Sequence, residues 1–319
     1  MEVAVGRVTV VGSYIVALVM DTEELPVEGQ TVKGSNFHTT HGGKGSNIAV
    51  CAARLGAESA FVGKIGRDSF GEGFLSLLET EGVNKSGVLY ADQEPTAVGF
   101  IVFSSDGTNL IVIDPAANET FSPEDVLSQR ELIASSDVVV SPLEIPLETA
   151  LAAASLTWGN GKKAILNPAP AEDLREHDMS CVFALTPNET EGRVCLGLDA
   201  EQRIDDLELA RSLLDLGAQH VILTLGAKGA IWACKEGVVA VPALEVEVVD
   251  TVGAGDALNA GLAVGLGEGW SLRESIAMGI TAASLSTRKR ETIDSYPFRY
   301  EVNGRIEEII GQIERMEWS

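Results

Sequence analysis

A glycine-rich segment in the last quarter of the chain places a carboxylate next to potential anion-binding groups. Asp250-Thr251-Val252-Gly253-Ala254-Gly255-Asp256 follows Val246–Val249, whose apolar run predicts a strand, and precedes a predicted helix rich in Ala, Gly and Leu. Glycines in such a turn let backbone N–H groups converge where a helix begins, and the helix dipole there favours negative charge. These groups could stabilise a transferring phosphoryl group while Asp256 accepts the proton of an attacking hydroxyl. The segment therefore predicts phosphoryl transfer to an alcohol.

Other functions of this turn are compatible with its residues alone. Asp256 could be only an N-terminal helix cap. A dinucleotide-binding fold would place a third glycine at Leu258, and its absence counts against a nicotinamide oxidoreductase. The P-loop pattern Gly-x-x-x-x-Gly-Lys-Ser/Thr also fails at its nearest match, residues 38–45. His38 stands at the first glycine position, and Gly45 stands where Ser or Thr is required after Gly43-Lys44.

A second glycine-rich segment, Gly42-Gly43-Lys44-Gly45-Ser46-Asn47, lies at the entry of a predicted helix, Ser46–Leu55. Its glycines let a ligand approach the backbone closely, and Lys44 and Asn47 add donors suited to hydroxyls or phosphate. Alone, the segment is also compatible with a flexible loop and a solvated lysine. Together with the Asp250–Asp256 turn, it favours a shared site over coincidence.

Four segments resemble, in the same order, the signatures of the ribokinase-like carbohydrate kinase family, which includes ribokinases, fructokinases and nucleoside kinases. They are Gly42–Asn47, Thr186–Glu191 with its N-x-x-E pattern, Leu223–Gly229 and Asp250–Asp256. The resemblance runs from Val10 to about Pro297. It implies an ATP-dependent kinase that transfers the γ-phosphate of MgATP to a hydroxyl of a small sugar, a pentose such as ribose or a related sugar.

The resemblance also implies roles for individual residues. The residue matching the catalytic base is Asp256, and the backbone N–H groups of the anion hole match Val252, Gly253, Ala254 and Gly255. Positions that bind the sugar match Gly43, Lys44, Asn47 and Glu144. Positions at the nucleotide match Asn188, Thr224, Gly226 and Gly229.

Metal ions are implied at two places. Glu191 matches a residue that organises Mg²⁺ through water, in keeping with the hydration shell that this ion retains. Asp250, Thr251 and Ser295 match a monovalent cation site, which would take K⁺. Arg290 stands where a glycine is usual in the loop of that site, so the sequence leaves K⁺ binding open.

The sugar site departs from the ribose-binding pattern at two positions. Ribose-phosphorylating relatives carry an Asn and an Asp where this chain has Ile15 and Ala17. An apolar pair cannot replace hydrogen bonds to sugar hydroxyls, and each unpaired hydroxyl would cost about 1–3 kcal/mol. A substrate with fewer hydroxyls or an apolar portion is therefore compatible. The alternatives are a nucleoside kinase, a fructokinase-type hexose kinase, or a catalytically silent protein that binds sugar and nucleotide.

The pattern of elements predicts the framework that positions these residues. Short apolar runs predict strands, and longer amphipathic stretches between them predict helices. The predicted strands are Val8–Val11, Ala60–Val62, Val138–Val140, Ala164–Leu166, Val182–Leu185 and Val221–Thr224; the helices are Ser46–Leu55, Gly71–Glu81, Leu147–Trp158, Asp205–Leu216 and Asp256–Leu266. This alternation predicts a three-layer α/β/α domain with a mostly parallel central sheet.

Two segments interrupt the alternation. Thr96–Phe103 and Leu110–Ile113 flank Asp106-Gly107 and predict a β-hairpin, while the stretch from about Val16 to Thr40 is strand-like or irregular. Together they predict a small antiparallel β lid, formed by residues of about 14–41 and 96–116, on a single domain spanning 1–319. An exposed lid edge makes a homodimer through the lid a reasonable expectation.

Composition limits the partners and the compartment. The 319 residues include 47 acidic and 23 basic side chains, a net charge of −24 that disfavours nucleic acid and anionic membranes. The four cysteines form no C-x-x-C pair, which suits free thiols in a reducing compartment. No signal-peptide pattern is apparent, and no apolar run approaches the roughly 18 residues of a membrane span. These features predict a cytoplasmic protein.

Overall fold

A computed structural model describes residues 5–316, and its strands form two sheets of unequal size. The strands are β1 (Arg7–Val11), β2 (Ile15–Thr22), β3 (Gly34–Gly42), β4 (Glu58–Ile65), β5 (Asn84–Tyr90), β6 (Val98–Ser104), β7 (Asn109–Asp114), β8 (Val138–Pro142), β9 (Lys163–Asn167), β10 (Ala184–Leu185), β11 (His220–Thr224), β12 (Ala230–Cys234), β13 (Gly237–Val241) and β14 (Glu314–Met316). The ends of the predicted 1–319 domain, residues 1–4 and 317–319, lie outside the described residues.

The larger sheet has ten strands in the order β14-β13-β12-β11-β10-β9-β8-β1-β4-β5. All pairs from β11 to β5 are parallel, and β12, β13 and β14 add antiparallel pairs at the other edge. The mostly parallel sheet predicted from compact apolar strands is confirmed. Its inner strands are buried along nearly their whole length, as β8 shows, because helices cover both faces.

Helices on the two faces complete three layers. They are α1 (Lys44–Arg54), α2 (Ser69–Thr80), α3 (Pro123–Ser128), α4 (Arg130–Ser135), α5 (Leu147–Gly159), α6 (Glu189–Cys195), α7 (Asp206–Leu214), α8 (Ala254–Gly267), α9 (Leu272–Ser286), α10 (Arg299–Asn303) and α11 (Ile306–Ile310). One apolar core joins α1, α2 and α8–α11 to the sheet, and a second joins α3–α7 to the opposite face. Each of the five predicted helices is present.

The smaller sheet has the order β3-β2-β6-β7 and corresponds to the predicted lid. The hairpin β6–β7 turns at Gly107, which has a φ of 88°, and β2–β3 is also antiparallel. The central pair β2–β6 is parallel, so the sheet is mixed rather than wholly antiparallel. The two strands come from separate insertions, and no short turn between them imposes an antiparallel direction.

The carboxyl ends of the parallel strands converge on one edge of the larger sheet. Ser13 follows β1, Glu144 follows β8, Asn188 follows β10, and Thr224 ends β11. In open α/β sheets this edge is where ligands bind. The fold thus gathers side chains from distant parts of the sequence.

The predicted strand over Val246–Val249 is wrong. The stretch is irregular, and the backbone N–H groups of Val249 and Asp250 both donate to the carbonyl oxygen of Thr287 after α9. Val248 and Val249 are more than half exposed. Without a neighbouring strand, the β-branched residues have no ladder to join.

Helix α8 is held by close packing against α9. A Cβ on Gly261 would lie 2.7 Å from the Cα of Gly279, so the two helix backbones touch where both lack side chains. This contact holds α8, whose first turn carries Asp256, against α9. Within residues 5–316, no helix is long and apolar enough to cross a membrane.

Candidate active site

Asp256 lies in the first turn of α8 and is 4% exposed. Its Oδ2 atom accepts hydrogen bonds from Asn47 Nδ2 at 2.8 Å and from the Tyr296 hydroxyl at 3.4 Å. Burial raises the pKa of Asp256, while the charge of Lys44 and these two hydrogen bonds oppose the rise. The result is a buried carboxylate with increased basicity.

The turn before Asp256 offers backbone donors. Gly253 caps α8 with a φ of 80°, and the Ala254 N–H donates to Thr251 O at 3.3 Å. Residues 5–316 provide no acceptor for the N–H groups of Gly253 and Gly255. A Cβ on Gly255 would meet no atom within 4 Å, so space is open beside this residue. Free N–H groups at a helix start facing open space suit an anion.

The entry of α1 is pressed against the chain that leaves β1. Gly43 has a φ of 90°, and a Cβ there would lie 2.8 Å from Ile15 N. A Cβ on Gly45 would lie 2.4 Å from Ser13 N. Both glycines are required by this backbone contact, which brings the first turn of α1 to the carboxyl end of β1.

Glu144 is oriented by two donors. Ser13 Oγ donates to Glu144 Oε2 at 2.6 Å, and the backbone N–H of Lys44 donates to the same oxygen at 2.7 Å. Burial raises the pKa of Glu144, with Lys44 as the main opposing influence. Both hydrogen bonds end on Oε2, which leaves Oε1 available as an acceptor.

Lys44 lies among three carboxylates. The negative charge of Asp256 is the main cause that raises the pKa of Lys44, and Glu144 and Glu191 contribute in the same direction. The side chain is therefore protonated over the neutral range. We refer to Lys44, Asn47, Glu144, Glu191 and Asp256 as the polar cluster. Its cation comes from one helix, and its carboxylates come from three separate segments.

Asn47 carries an unpaired acceptor inside the cluster. The residue is 5% exposed, and its Oδ1 atom has no hydrogen-bond partner among the described residues. Buried polar atoms are nearly always satisfied, so such an atom indicates a missing partner. A ligand hydroxyl could supply the donor.

Asn188 and Glu191 form a capping box at the start of α6. Asn188 Oδ1 accepts from Glu191 N at 2.8 Å, and Asn188 N donates to Glu191 Oε2 at 2.9 Å. Asn188 thus caps α6, and the capping box leaves Glu191 Oε1 and Asn188 Nδ2 for other partners. Burial raises the pKa of Glu191, and the charges of Lys44 and Asp256 act on it. Glu191 therefore interacts electrostatically with both Lys44 and Asp256.

The segment after β11 lies beside Asn188. Thr224 bridges to Asn188 in parallel register, and its N–H donates to Pro187 O at 2.9 Å. Gly226 has a φ of 57° with no atom within 4 Å of a possible Cβ. Gly229 has a φ of 94°, and a Cβ there would lie 2.0 Å from Val241 O. Space is therefore open beside Gly226, whereas the backbone around Gly229 leaves no room for a side chain.

The residues predicted at a monovalent cation site adjoin Gly253, Ala254 and Gly255, which we refer to as the anion turn. Asp250 Oδ1 accepts from Val252 N at 3.1 Å, and Thr251 O accepts from Ala254 N. Ser295 is 1% exposed and donates to Thr292 O at 2.7 Å. Among the described residues, no group of three or more His, Cys, Asp or Glu side chains could hold a metal ion.

Ile15 and Ala17 share one face of β2. Ile15 pairs with Gly42 and is 7% exposed, packed with Ala97 and Ala116. Ala17 pairs with Gly99 of β6. The base of the smaller sheet is therefore apolar where it leaves β1.

Several residues of the site were not found from the sequence. Tyr296 contacts Asp256 although 40 positions separate them. Asn259 accepts from the Thr186 hydroxyl at 2.8 Å and donates to Gly255 O at 2.9 Å, which ties β10 to the anion turn. Burial raises the pKa of Tyr296 well above its usual value. Ser13 had a usable signal, because a small polar residue follows a strand end; Tyr296 and Asn259 had none.

A three-layer α/β/α fold with a buried carboxylate beside free N–H groups at a helix start has the parts that phosphoryl transfer to a small molecule requires. The chain belongs to the pfkB family of carbohydrate kinases, whose family model matches residues 5–299. It is a sugar kinase of the ribokinase-like superfamily, as the sequence motifs predicted.

Individual relatives agree with this membership. The chain is 36% identical over 293 residues to a ribokinase of Haemophilus influenzae, covering 92% of this chain and 96% of that protein. It is 35% identical over 294 residues to a deoxyribokinase of Salmonella typhi, covering 91% and 95%. The structure of Arabidopsis thaliana ribokinase complexed with ribose and ATP superimposes with a TM-score of 0.85, at 29% identity, covering 95% of this chain and 99% of that one.

Proposed function

We propose that this protein transfers the γ-phosphoryl group of MgATP to a hydroxyl of a small sugar, a pentose such as ribose or a related sugar. One observation carries the proposal: the buried Asp256 carboxylate adjoins free N–H groups at the start of α8. The substrate class is supported by relatives named ribokinase and deoxyribokinase, and ATP by the nucleotide bound in the Arabidopsis enzyme.

Asp256 acts as the base in this proposal. Its raised pKa favours acceptance of the proton from the sugar hydroxyl as the hydroxyl oxygen attacks the γ-phosphorus. The bond between the γ-phosphorus and the β,γ-bridging oxygen breaks, and ADP leaves with that oxygen. The anion turn, formed by Gly253, Ala254 and Gly255, stabilises the charge on the transferred group. Phosphoryl transfer needs mainly positioning and electrostatic stabilisation, and these residues supply both.

Gly43, Lys44, Asn47 and Glu144 bind the sugar. The unpaired Asn47 Oδ1 and the second oxygen of Glu144 accept from sugar hydroxyls. Lys44 donates to the substrate and offsets the charge of the surrounding carboxylates. Gly43 allows this close approach because it has no side chain.

Asn188, Thr224, Gly226 and Gly229 form the nucleotide side. Glu191 would hold Mg²⁺ through water, since Oε1 is left free by the capping box. When bound, Mg²⁺ neutralises charge on the phosphates. Asp250, Thr251 and Ser295 would hold an activating K⁺; equal rates in KCl and NaCl would contradict that part of the proposal.

We propose that the chain works as one domain in which the smaller sheet covers the site as a lid. β2 begins directly after the segment that carries Ser13, and β3 ends at the entry of α1. The sheet is thus attached beside the polar cluster. A lid in this position would exclude water during transfer.

The lid is also the proposed dimer contact. Within residues 5–316, β7 pairs only with β6, and Leu110, Ile111, Val112 and Ile113 are between 41% and 57% exposed on it. An unpaired apolar edge strand is a template for a second strand, and a second copy offers the same edge. Ile111→Lys should convert a dimer to a monomer in light scattering; an unchanged mass would refute the contact.

A screen for ADP release across pentoses, deoxy sugars, hexoses, tetritols and nucleosides tests the proposed reaction. Turnover with a pentose or a related sugar supports it. Turnover with nucleosides alone would establish the nucleoside kinase alternative, which the apolar Ile15 and Ala17 leave open. ATP binding without turnover on any acceptor would indicate a silent binding protein.

A further inference from the structure

The carboxylate of Asp256 is held from one side only. Both hydrogen bonds that the described residues donate to it end on Oδ2, from Asn47 Nδ2 at 2.8 Å and from the Tyr296 hydroxyl at 3.4 Å. A carboxylate anchored by one oxygen has its other oxygen in a fixed direction. Oδ1 is left without a hydrogen-bond partner among the described residues.

Tyr296 is itself fixed in place. The residue is 1% exposed, and its backbone carbonyl accepts from Arg54 Nη1 at 3.4 Å. The same guanidinium donates to Ile293 O and forms an ion pair with Glu81 at 2.7 Å. Arg54 ends the helix whose first turns carry Lys44 and Asn47. Both anchors of Asp256 therefore depend on α1.

The Tyr296 hydroxyl also adjoins the anion turn. A Cβ on Gly253 would lie 2.7 Å from this hydroxyl oxygen. The hydroxyl thus fills the space between Gly253 and the Asp256 carboxylate. It lies where it can hold the base relative to the backbone donors.

We propose that Tyr296 is a positioning residue, whose hydroxyl joins Asn47 in holding Asp256 Oδ2 so that Oδ1 accepts the proton of the substrate. The inference rests on the proposed role of Asp256 as the base. Nothing in the sequence motifs assigns this role to Tyr296.

The Tyr296 hydroxyl also affects the pKa of Asp256. A hydrogen bond to the ionised carboxylate favours that form, so its removal raises the pKa of Asp256. The other ionisable groups whose charges interact with Asp256 are Lys44, Glu144, Glu191 and Cys51. Cys51 and Arg54 also interact with Tyr296. Burial raises the pKa of Cys51, and the hydrogen bond with Glu81 raises the pKa of Arg54, so neither group titrates on the acidic limb. A shift of that limb in Tyr296→Phe therefore reports the lost hydroxyl.

Tyr296→Phe removes the hydroxyl and keeps the ring. We expect kcat to fall about tenfold, as for loss of one weak hydrogen bond to a charged group. The acidic limb of the pH profile should move to higher pH, and KM for ATP should stay unchanged. Tyr300→Phe is the matched control, because Tyr300 is 73% exposed, and it should behave as the unaltered protein. An unchanged kcat and pH profile in Tyr296→Phe would overturn the proposal.

A double variant separates this role from a purely structural one. In the Asp256→Asn background, Tyr296→Phe should cause no further loss of rate, since the hydroxyl acts through the carboxylate. A full additional tenfold loss would refute the positioning role. Full activity in Asp256→Asn alone would instead refute the role of Asp256 as the base. The proposed function and the positioning role of Tyr296 can therefore fail separately.

A second replacement covers the case in which Tyr296→Phe does not fold. Site-specific incorporation of a fluorinated tyrosine at position 296 keeps the side chain and makes its hydroxyl a stronger donor. The acidic limb should then move to lower pH, opposite to the effect of Tyr296→Phe. A limb that does not move would refute the proposal.

Discussion

The side-chain amide of Asn47 lies 2.8 Å from the carboxylate of Asp256, although 209 positions separate the two residues. Asn47 ends the glycine-rich segment Gly42–Asn47, and Asp256 ends the glycine-rich segment Asp250–Asp256. Helices α1 and α8 pack in the same core, so the hydrogen bond is buried. The two segments therefore form one site, and the contact links the group proposed to bind the sugar to the proposed base.

Asp256→Asn should reduce kcat by about 10²–10⁴, the usual contribution of a general base. The amide has nearly the same shape, so the hydrogen bond network can largely persist. ADP binding, measured by calorimetry, should stay within a few-fold of that of the unaltered protein. Full activity in this variant would remove Asp256 from the mechanism.

Activity should fall as the pH is lowered, because the base must be ionised. Burial raises the pKa of Asp256, so the midpoint of the acidic limb should lie above that of a solvent-exposed aspartate. The measurement is kcat/KM for the sugar across pH at saturating ATP. A limb at or below the exposed-aspartate range would contradict the raised pKa.

Gly255→Ala should lower the transfer activity, whereas Gly229→Ala should lower the stability of the fold. A Cβ on Gly255 meets no atom within 4 Å, so the variant should unfold at the same temperature but lose transfer activity, because the methyl group occupies the anion space. A Cβ on Gly229 would lie 2.0 Å from Val241 O at a φ of 94°. That variant should lose roughly 1–3 kcal/mol of unfolding free energy.

Chemical denaturation and assays on the same preparations check both expectations. A fully active Gly255→Ala protein would show that the phosphoryl group does not approach this residue. A Gly229→Ala protein with unchanged stability would show that the backbone contact can relax.

Ile15→Asn combined with Ala17→Asp should improve the use of ribose. The two polar side chains would add hydrogen bonds to hydroxyls, and a gain of about 1.4 kcal/mol corresponds to tenfold in kcat/KM. Ile15 packs with Ala97 and Ala116, so the melting temperature should fall somewhat. Val112→Asn on exposed β7 is the control and should leave ribose kinetics unchanged. A double variant with no gain would place this pair outside the sugar contacts.

The strand–helix framework followed from the sequence because apolar periodicity reports burial. The strands around Val138–Val140 and Val221–Thr224 and the helices predicted at Leu147–Trp158 and Asp205–Leu216 lie where they were predicted. Periodicity cannot report which strands become neighbours. The parallel pairing of β2 with β6 depends on two insertions that meet only after the fold has formed.

The motif residues of the site were also predictable, whereas their supports were not. Lys44, Asn47 and Asp256 lie in glycine-rich turns, whose composition indicates a ligand. Tyr296 lies in a segment without such a signal, and its role depends on a contact with Asp256 across 40 positions. The run Val246–Val249 was wrongly predicted to be a strand, because β-branched residues form a strand only where another strand can pair with them.

The attachment points of the smaller sheet have a consequence for turnover. β2 starts at Ile15, directly after Ser13 and Tyr14, and β3 stops at Gly42, just before α1. None of Lys44, Asn47, Glu144 and Asp256 lies on the strands of the smaller sheet. If that sheet moves as the proposed lid, these four side chains would therefore stay together between one round of transfer and the next.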